Sequence, residues 1–158
     1  MNKAILGIGS NLGNRTAFLS SAVRAIEQLP ETTVLAESSR YETKPYNVPD
    51  EQNDYLNECI VILTALSPRA LLGACLGIEA ALGRVREKRH GSRVIDIDLL
   101  IYENATSKDA ELTLPHPGIL KRPSVLLPLS DLYPSGNALG LDFSAALKRV
   151  DRSKIKVF

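Results

Sequence analysis

The chain has 158 residues and a formal net charge of +1 at pH 7, with 44% hydrophobic and 23% charged side chains. These values are typical of one globular domain over residues 1–158 and exclude a disordered or fibrous chain. A charge this close to zero gives no overall attraction to nucleic acid or membranes, so we expect neither as a partner. No stretch approaches the roughly 18 apolar residues of a membrane span, and we therefore expect a cytoplasmic protein.

The first 41 residues predict a strand, a helix and a second strand. Residues 3–8 form an apolar run that ends in glycine, serine and asparagine, which is typical of a buried strand entering a turn. Apolar residues then recur at three- and four-residue spacing over 18–29, which predicts an amphipathic helix with Asn14 or Thr16 as its cap. Residues 32–41 begin with β-branched side chains and predict the second strand.

The rest of the chain completes a recognisable order of elements. Residues 43–53 predict a long, functional loop, and residues 54–64 a third strand that pairs antiparallel with the second. Ser67 and Pro68 begin a second helix, Gly83 ends it, and residues 94–102 predict a fourth strand. The order β-α-β-β-α-β predicts a ferredoxin-like α+β sandwich, a mainly antiparallel sheet with helices on one face. Beyond it we expect a short strand near 112–114, a helical turn at 124–132 and a short helix at 142–150.

Asp96 and Asp98 are the strongest candidates for chemistry. Side chains two residues apart in a strand share a face, so the two carboxylates lie together while Ile97 faces the core. Two like charges this close repel each other unless a cation lies between them, and Mg²⁺ prefers carboxylate and phosphate oxygens. The alternative is an exposed strand face whose acids are solvated or paired with arginines.

A basic stretch comes directly before this strand. Within ten residues it contains Arg84, Arg86, Lys88, Arg89 and Arg93. Arginine side chains bind phosphate oxygens with two parallel hydrogen bonds, and arginines together with Mg²⁺ are typical of phosphoryl transfer. A solvated loop is the alternative, but the position beside two carboxylates favours binding of phosphate.

A glycine-rich segment follows the first strand. Gly7, Gly9 and Gly13 have the spacing GxGxxxG, which differs from the GxGxxG of dinucleotide-binding loops. We interpret them as a tight strand-to-helix turn in which the backbone approaches another group closely.

His116 lies between two prolines, with Lys121 and Arg122 shortly after it. Flanking prolines restrict the backbone and can fix the direction of the imidazole. The segment therefore predicts either a phosphate contact or a structural histidine.

Several short pieces of sequence, taken in order, resemble one enzyme family. They are GSNL at 9–12, SSRYET at 38–43, DYLN at 54–57, IE at 78–79, GRVR at 83–86, GSR at 91–93, IDIDLL at 95–100, LPHP at 114–117, Arg122, and PL at 128–129. The ordered set resembles the 6-hydroxymethyl-7,8-dihydropterin pyrophosphokinases of folate biosynthesis, from residue 5 to about residue 134.

The resemblance implies a ferredoxin-like, ATP-dependent diphosphotransferase that moves pyrophosphate from ATP to the hydroxymethyl oxygen of the pterin and releases AMP. It implies two Mg²⁺ ions on Asp96 and Asp98, and catalytic roles for these residues together with Arg84 and Arg93. The ATP-binding residues that it implies are Glu79, Arg84, Arg86, Arg93, Leu99, His116 and Arg122. The pterin-binding residues that it implies are Thr43, Tyr46, Tyr55 and Asn57.

Four positions depart from the family pattern. Ser124 replaces an aromatic residue that usually completes a stack around the pterin, and His90 replaces a loop tryptophan. Lys44 stands where proline is common, and Leu76 where glutamine often lies. Losing one stacking partner costs on the order of 1 kcal/mol, so we hypothesise weaker binding of the pterin or acceptance of a modified pterin.

Three alternatives remain open at this point. The first is a divergent relative that pyrophosphorylates a modified pterin or another alcohol. The second is a nucleic-acid-binding ferredoxin-like module, which the three Phe, five Tyr and no Trp of this chain disfavour because such sheets stack bases on aromatic residues. The third, a non-catalytic interaction domain, is disfavoured by Asp96 and Asp98. We expect a monomer, with a dimer as the alternative.

Overall fold

The computed structural model describes residues 1–45, 51–84 and 93–158. In these ranges the strands are β1 (Asn2–Ser10), β2 (Thr32–Glu37), β3 (Tyr41–Thr43), β4 (Tyr55–Thr64), β5 (Asp96–Tyr102), β6 (Ser107–Lys108), β7 (Thr113–Leu114), β8 (Asn137–Ala138), β9 (Leu141–Asp142) and β10 (Lys156–Val157). The helices are α1 (Arg15–Glu27), α2 (Pro68–Ala81), α3 (Pro123–Leu132) and α4 (Ser144–Lys148), with 3₁₀ turns at Ile119–Lys121 and Arg152–Lys154.

The main sheet has the predicted ferredoxin-like order. Its strands lie in the order β10-β3-β4-β1-β5, β2 also pairs with β4, and every pair is antiparallel. The central strand β1 therefore lies between β4 and β5, and α1 and α2 make the two crossovers. The α+β prediction is confirmed.

The ends of α1 and α2 follow from local sequence. The side chain of Asn14 accepts a hydrogen bond from Ala17 N, and the side chain of Ser67 accepts one from Ala70 N. These bonds satisfy amide groups that have no partner within the first turn of a helix. Gly83, which follows α2, has a φ of +96°, a conformation that glycine adopts without strain. The predicted boundaries at Asn14, Ser67 and Gly83 are confirmed.

The face of the sheet beneath α1 and α2 carries the larger core. Fully or almost fully buried residues from β1, the two helices and β4 meet there, and these include Leu6, Ile8, Leu19, Ala22, Ile26, Ile60, Ile62, Leu71 and Cys75. Alternation along β1 sends every second side chain into this core. The remaining β1 side chains face the opposite side of the sheet.

The opposite face is covered in part by α3 and α4, so helices lie on both faces of the sheet. A second cluster there joins Ile5, Cys59 and Val61 of the sheet to Leu126 and Leu129 of α3. The prediction of helices on one face holds for α1 and α2, but α3 and α4 correct it, because the proline-rich segment folds back over the sheet. No helix in the described ranges is both long and apolar enough to cross a membrane.

The predicted second strand, residues 32–41, is divided in two. β2 pairs with the C-terminal half of β4 and β3 with its N-terminal end, and Ser38 Oγ accepts a hydrogen bond from Cys59 N at the break. The register also shifts in two places, between Val34 and Ala36 against β4, and between Ile5 and Leu6 against β5. The sequence pattern does not predict such bulges because each adds one unpaired residue without changing composition.

Candidate active site

The two carboxylates lie opposite two glycines of the central strand. Gly9 pairs with Asp96 and Gly7 pairs with Asp98 in the β1–β5 ladder. Residues paired across an antiparallel ladder point to the same face, so the two carboxylates stand beside a stretch of strand without side chains. Their side chains are 23% and 32% exposed. The prediction that both carboxylates share one face of a strand is confirmed.

The same face continues onto β4 and β3. Gly9 also pairs with Asn57, and Thr43 pairs with Tyr55, so Asn57 and Tyr55 lie on the carboxylate face. Asn57 Nδ2 donates a hydrogen bond of 2.8 Å to Thr43 Oγ1. Burial raises the pKa of Tyr55, which keeps its phenol protonated. These three residues form a polar group with one aromatic ring, one strand away from the carboxylates.

The glycines of β1 are required by close packing. A Cβ at position 9 would lie 2.6 Å from Asn57 Oδ1, and one at position 7 would lie 3.2 Å from Leu100 Cδ1. The interpretation of Gly7 and Gly9 as parts of a turn is wrong, because both lie inside β1. The close approach that we expected is present, and it occurs within the sheet.

Arg84 joins α2 to β5 through a buried ionic chain. Its Nη1 lies 2.6 Å from Glu79 Oε2 and 3.1 Å from Asp96 Oδ1, and its side chain is 4% exposed. Glu79 Oε2 also accepts a hydrogen bond of 2.7 Å from Ile97 N. Burial raises the pKa of Glu79, while the Ile97 amide and Arg84 oppose that shift. Arg84 Nε and Nη2 are buried without a hydrogen-bond partner among the described residues, so they can donate to an anion.

Two further arginines approach the carboxylates unequally. Arg93 Nη1 lies 3.2 Å from Asp96 Oδ1, whereas Arg122 Nη1 lies 4.0 Å from Asp98 Oδ2. Burial and then the charge of Asp96 raise the pKa of Asp98 to about 7. Without a further cation, the Asp98 carboxyl is therefore only partly ionised near neutral pH.

His116 is held as a neutral hydrogen-bond donor. Its Nδ1 accepts a hydrogen bond of 3.0 Å from Gly118 N, which places the proton of a neutral ring on Nε2. Burial and then Arg122 lower the pKa of His116. A Cβ at position 118 would lie 2.8 Å from Arg122 Nε, so the glycine lets Arg122 pack beside the imidazole.

A cavity of about 510 Å³ opens beside β5. Its lining includes the apolar side chains of Leu72, Leu76, Leu99 and Leu112, and the polar side chains of Glu79, Arg84, Asp96, Asp98 and His116. A lining that combines apolar side chains with cations and carboxylates suits a ligand that carries both a flat ring and phosphates. Leu76 is 48% exposed in the cavity lining.

The carboxylate pair fits a hard divalent cation. Two carboxylates from one strand supply oxygen ligands, and the repulsion between Asp96 and Asp98 favours a cation bound to both. No cluster of three or more Asp, Glu, His or Cys side chains suited to a metal occurs in the described ranges. A metal here would therefore complete its shell with water and substrate oxygens, which is how Mg²⁺ usually binds to proteins.

Most of the residues predicted for the site lie together. Those at the carboxylates or the cavity are Glu79, Arg84, Arg93, Asp96, Asp98, Leu99, His116 and Arg122, and those on the adjacent sheet face are Thr43, Tyr55 and Asn57. Tyr46, Arg86 and His90 lie outside the described residues. Ser124 is half-buried near the start of α3.

Sequence reasoning missed Asn11 and Arg15 as site residues. Asn11 is fully buried, and its side chain bonds to three other residues; Arg15 bonds to both β3 and the residue before β4. The only signal for Asn11 was its place in the GSNL motif, because its partners lie about 40 and 80 residues away along the chain.

Comparison with known proteins agrees with this geometry. Residues 5–134 match the profile of the 7,8-dihydro-6-hydroxymethylpterin-pyrophosphokinase (HPPK) family. A protein of Methylorubrum extorquens named 2-amino-4-hydroxy-6-hydroxymethyldihydropteridine pyrophosphokinase is 45% identical over 156 residues, which cover 99% of this chain and 98% of that protein. A Bacillus subtilis protein of the same name is 39% identical over 131 residues, which cover 83% of this chain and 78% of that protein.

The fold is also similar to a solved structure. The crystal structure of wild-type HPPK-DHPS from Plasmodium falciparum superposes with a TM-score of 0.71 at 18% identity. The match covers 98% of this chain and 44% of that one, so this chain spans less than half of the solved protein.

Proposed function

Since the chain belongs to the 7,8-dihydro-6-hydroxymethylpterin-pyrophosphokinase (HPPK) family, we propose that it transfers pyrophosphate from ATP to the hydroxymethyl group of 6-hydroxymethyl-7,8-dihydropterin. It is an enzyme, an ATP-dependent diphosphotransferase of folate biosynthesis. The products are AMP and the pterin diphosphate.

One observation supports the assignment of sites above all others. The carboxylates on β5 and the group of Thr43, Tyr55 and Asn57 lie on one face of the sheet, with only Gly7 and Gly9 of β1 between them. Two substrates bound on this face, one at each group, would lie one strand apart. Because Gly7 and Gly9 have no side chains, Leu100 and Asn57 pack directly against β1 between the two groups.

At the phosphate end, Asp96 and Asp98 would hold Mg²⁺, and two ions is the number we propose. When bound, the ions neutralise phosphate charge and favour attack at phosphorus. Arg84 has two buried donors available for phosphate oxygens, and Arg93 is within ion-pair distance of Asp96. Both arginines can neutralise negative charge that develops during transfer.

The transfer itself exchanges one P–O bond for another. The hydroxyl oxygen of the pterin attacks the β-phosphorus in line and releases its proton to solvent, while the bond from that phosphorus to the α-phosphate oxygen breaks. AMP leaves with the bond electrons, and the β- and γ-phosphates remain on the pterin. Catalysis of this step depends chiefly on positioning and charge neutralisation.

The cavity beside β5 is the proposed ATP site. Leu99 contributes an apolar side chain to its lining, Glu79 holds Arg84, and the Nε2–H of neutral His116 can donate to a phosphate oxygen. Arg86 and Arg122 complete the proposed set.

The group on β3 and β4 is the proposed pterin site. The Tyr55 ring offers a stacking surface, and the Asn57 amide and the Thr43 hydroxyl offer hydrogen bonds to the ring edge. Tyr46 belongs to the proposed set. Ser124 leaves one side of the pterin without an aromatic partner, which supports weaker pterin binding or a modified pterin as the alternative acceptor.

Three further statements belong to the proposal. We infer that residues 1–158 work as one pyrophosphokinase domain, that the enzyme acts as a monomer, with a dimer as the alternative, and that it acts in the cytoplasm. The near-neutral net charge supports the inference that it has no nucleic-acid partner.

The decisive experiment measures AMP. Purified protein is mixed with MgCl₂, ATP and 6-hydroxymethyl-7,8-dihydropterin, and AMP and the pterin diphosphate are quantified by chromatography. We expect equal amounts of both products, loss of both without Mg²⁺, and loss of both in Asp96→Asn. Asp142→Asn is the matched control, because Asp142 is exposed, accepts hydrogen bonds from Ser144 and does not line the cavity.

The same assay separates the alternatives. No AMP at high pterin concentration, in a protein that still binds ATP, would overturn the pterin assignment and favour another alcohol. Ser124→Phe is expected to lower the KM for the pterin several-fold, in line with roughly 1 kcal/mol of stacking. An unchanged or higher pterin KM in that variant would argue that Ser124 is not beside the pterin.

A further inference from the structure

Arg15 lies behind the proposed pterin site and bonds to both strands that carry it. It is the first residue of α1, and its side chain is 24% exposed. Its Nη1 donates a hydrogen bond of 3.0 Å to Asp54 O, and its Nη2 lies 2.7 Å from Glu42 Oε2. One guanidinium is therefore bonded to the residues that directly precede Tyr55 and Thr43.

These contacts occur where the pairing of β3 with β4 ends. β3 has three residues, and the Thr43–Tyr55 pair joins its last residue to the first residue of β4. The end of a strand pair opens more easily than its middle, because its residues have paired neighbours on one side only. Arg15 links a residue of β3 to the residue before β4, and it therefore resists this opening.

Arg15 acts from the face of the sheet opposite the proposed pterin. Glu42 pairs with Leu56, which is fully buried in the core beneath α1 and α2. Alternation along the two strands then places Thr43 and Tyr55 on the other face. The guanidinium therefore influences the pterin through the position of the two strands and not through contact with it.

The ring of Phe158 lies beside the same guanidinium. Its centroid is 5.7 Å from Arg15 Cζ, within the range of a cation–π contact. Phe158 N donates a hydrogen bond of 2.8 Å to Arg40 O, and β10, directly before it, pairs with β3. Water weakens partly exposed ion pairs, so a ring that excludes water from one side of the guanidinium strengthens its hold on Glu42.

We propose that Arg15 is a positioning residue for the pterin and that Phe158 keeps it in place. The inference rests on the proposed function and goes beyond it, because none of the pterin-binding roles assigned above belongs to α1 or to Phe158. With Arg15 in place, the Tyr55 ring and the Thr43 hydroxyl are presented in a fixed arrangement. Without it the end of the strand pair opens, and part of the binding energy of the pterin is lost in ordering it again.

A residue that only stabilises the fold would behave differently. Its loss would lower the melting temperature, but the molecules that stay folded would bind the pterin as before. A defect that spread through the whole site would raise the KM for ATP as much as the KM for the pterin. The two KM values, measured separately, therefore distinguish positioning from stability.

The experiment measures both KM values from AMP formation with MgCl₂, ATP and 6-hydroxymethyl-7,8-dihydropterin. In Arg15→Ala the pterin KM should rise about five- to tenfold, as expected for one lost hydrogen bond, while the ATP KM changes less than about twofold. Arg15→Lys keeps one charged contact, so its pterin KM should lie between those of the wild type and Arg15→Ala. Amide hydrogen exchange at residues 54–57 should become faster in Arg15→Ala.

Two further variants make the result specific. Phe158→Ala, at a side chain that is 62% exposed, should raise the pterin KM about two- to fivefold, as expected for an exposed cation–π contact. In the Arg15→Ala background it should have no further effect, because Phe158 acts through Arg15. Arg24→Ala is the matched control: Arg24 also lies on α1 but bonds to Ser21 of the same helix, so both KM values should stay those of the wild type.

Each result decides the question. An unchanged pterin KM in Arg15→Ala, an equal rise of both KM values, unchanged exchange at residues 54–57, or additive effects of the two alanine substitutions would overturn the proposal. If Arg15→Ala does not fold, an unchanged pterin KM in Arg15→Lys and Phe158→Ala overturns it, and a selective rise in both supports it. If the wild type forms no AMP with the pterin, the proposed function fails and the inference with it. If the wild type forms AMP but the variants keep its pterin KM, only the inference fails.

Discussion

Gly9 and Asn57 face each other across the β1–β4 ladder, and a Cβ at position 9 would lie 2.6 Å from Asn57 Oδ1. The missing side chain at position 9 therefore decides where the Asn57 amide lies, and with it the hydrogen bond from Asn57 to Thr43. The central strand thus contributes to the proposed pterin site because position 9 has no side chain and leaves room for Asn57.

Gly9→Ala should displace the Asn57 amide and break its bond to Thr43. One hydrogen bond is worth about 1 kcal/mol, so the KM for the pterin should rise roughly fivefold while the KM for ATP changes little. Steady-state kinetics with each substrate varied in turn measures both constants. Gly73→Ala, an exposed helix position with open space around it, is the control. A rise in the ATP KM alone would contradict the placement of the pterin.

Asp96→Asn and Asp98→Asn should both lose activity but change stability in opposite directions without Mg²⁺. Asp96 is paired with Arg84 and Arg93, so its neutralisation should lower the free energy of unfolding by about 1 kcal/mol. Asp98 lies 4.0 Å from Arg122, and burial and then the charge of Asp96 raise its pKa to about 7, so above pH 7 its neutralisation should raise stability. Thermal unfolding in EDTA measures both, and equal shifts would contradict the unequal pairing.

Both aspartates should be essential for transfer. Loss of groups that merely support metal ligands typically costs 10- to 100-fold in activity, so loss of a ligand should cost more than about 100-fold. The rate of AMP formation over a range of MgCl₂ concentrations checks this, and recovery at high Mg²⁺ would indicate weakened metal binding with an intact site.

Glu79→Gln should loosen Arg84. The buried Glu79 carboxylate accepts hydrogen bonds from Arg84 and from Ile97 N. Because Asp96 remains as the second partner of Arg84, we expect the free energy of unfolding to fall by only about 2 kcal/mol. The KM for ATP should rise because the guanidinium is no longer fixed. Denaturant unfolding and ATP kinetics test this, with Glu31→Gln as control, at an exposed position that does not line the cavity. Unchanged values in both assays would remove Glu79 from the site.

Glu58 should make stability depend on pH. It is 1% exposed on the α1 side of β4, and its Oε1 lies 3.3 Å from Arg40 Nη2 without a hydrogen bond. Burial, with a smaller contribution from the charge of Glu37, raises its pKa to about 7 against the opposing effect of Arg40. The folded state thus holds a proton that the unfolded state releases near its ordinary pKa of about 4.5. The contribution of Glu58 to the free energy of unfolding is therefore greatest below pH 4.5 and is lost as the pH rises to about 7.

Glu58→Gln should remove that loss. At pH 8 the variant should be more stable than the wild type by up to roughly 3 kcal/mol, and the gain should vanish near pH 4.5. Denaturant unfolding across pH 4.5–8 measures the difference. Parallel pH curves for the two proteins would show that Glu58 is ionised in the folded state.

The order of elements was predictable because each signal is local. The cap at Asn14, the Ser67-Pro68 start of α2 and the alternation around Asp96 depend on neighbours within a few residues. The packing of α3 and α4 against the second face was not predictable from the sequence. Proline-rich segments show weak helical periodicity, and the position of these helices depends on contacts with Ile5 and Val61, which are distant along the chain.

The same distinction between local signals and distant contacts decides which site residues could be predicted. The carboxylate pair and the arginines were predictable because their types and spacing indicate their chemistry. The buried bonds of Asn11 and the reason for Gly9 were not, because each depends on the register of two strands that are distant in sequence.

The register shift between Ile5 and Leu6 has a consequence for how this protein can change. It divides β5 into two stretches, one with Asp96 and Asp98 and one with Ile101 and Tyr102. The alternation of side chains between the two faces of the sheet is set separately in each stretch. Substitutions that repack the second stretch can accumulate without rotating the first. A one-residue insertion between Asp96 and Leu99 would instead point a carboxylate into the core beneath α1 and α2. We therefore expect substitutions to be tolerated beyond the bulge and changes of length between residues 96 and 99 to be selected against.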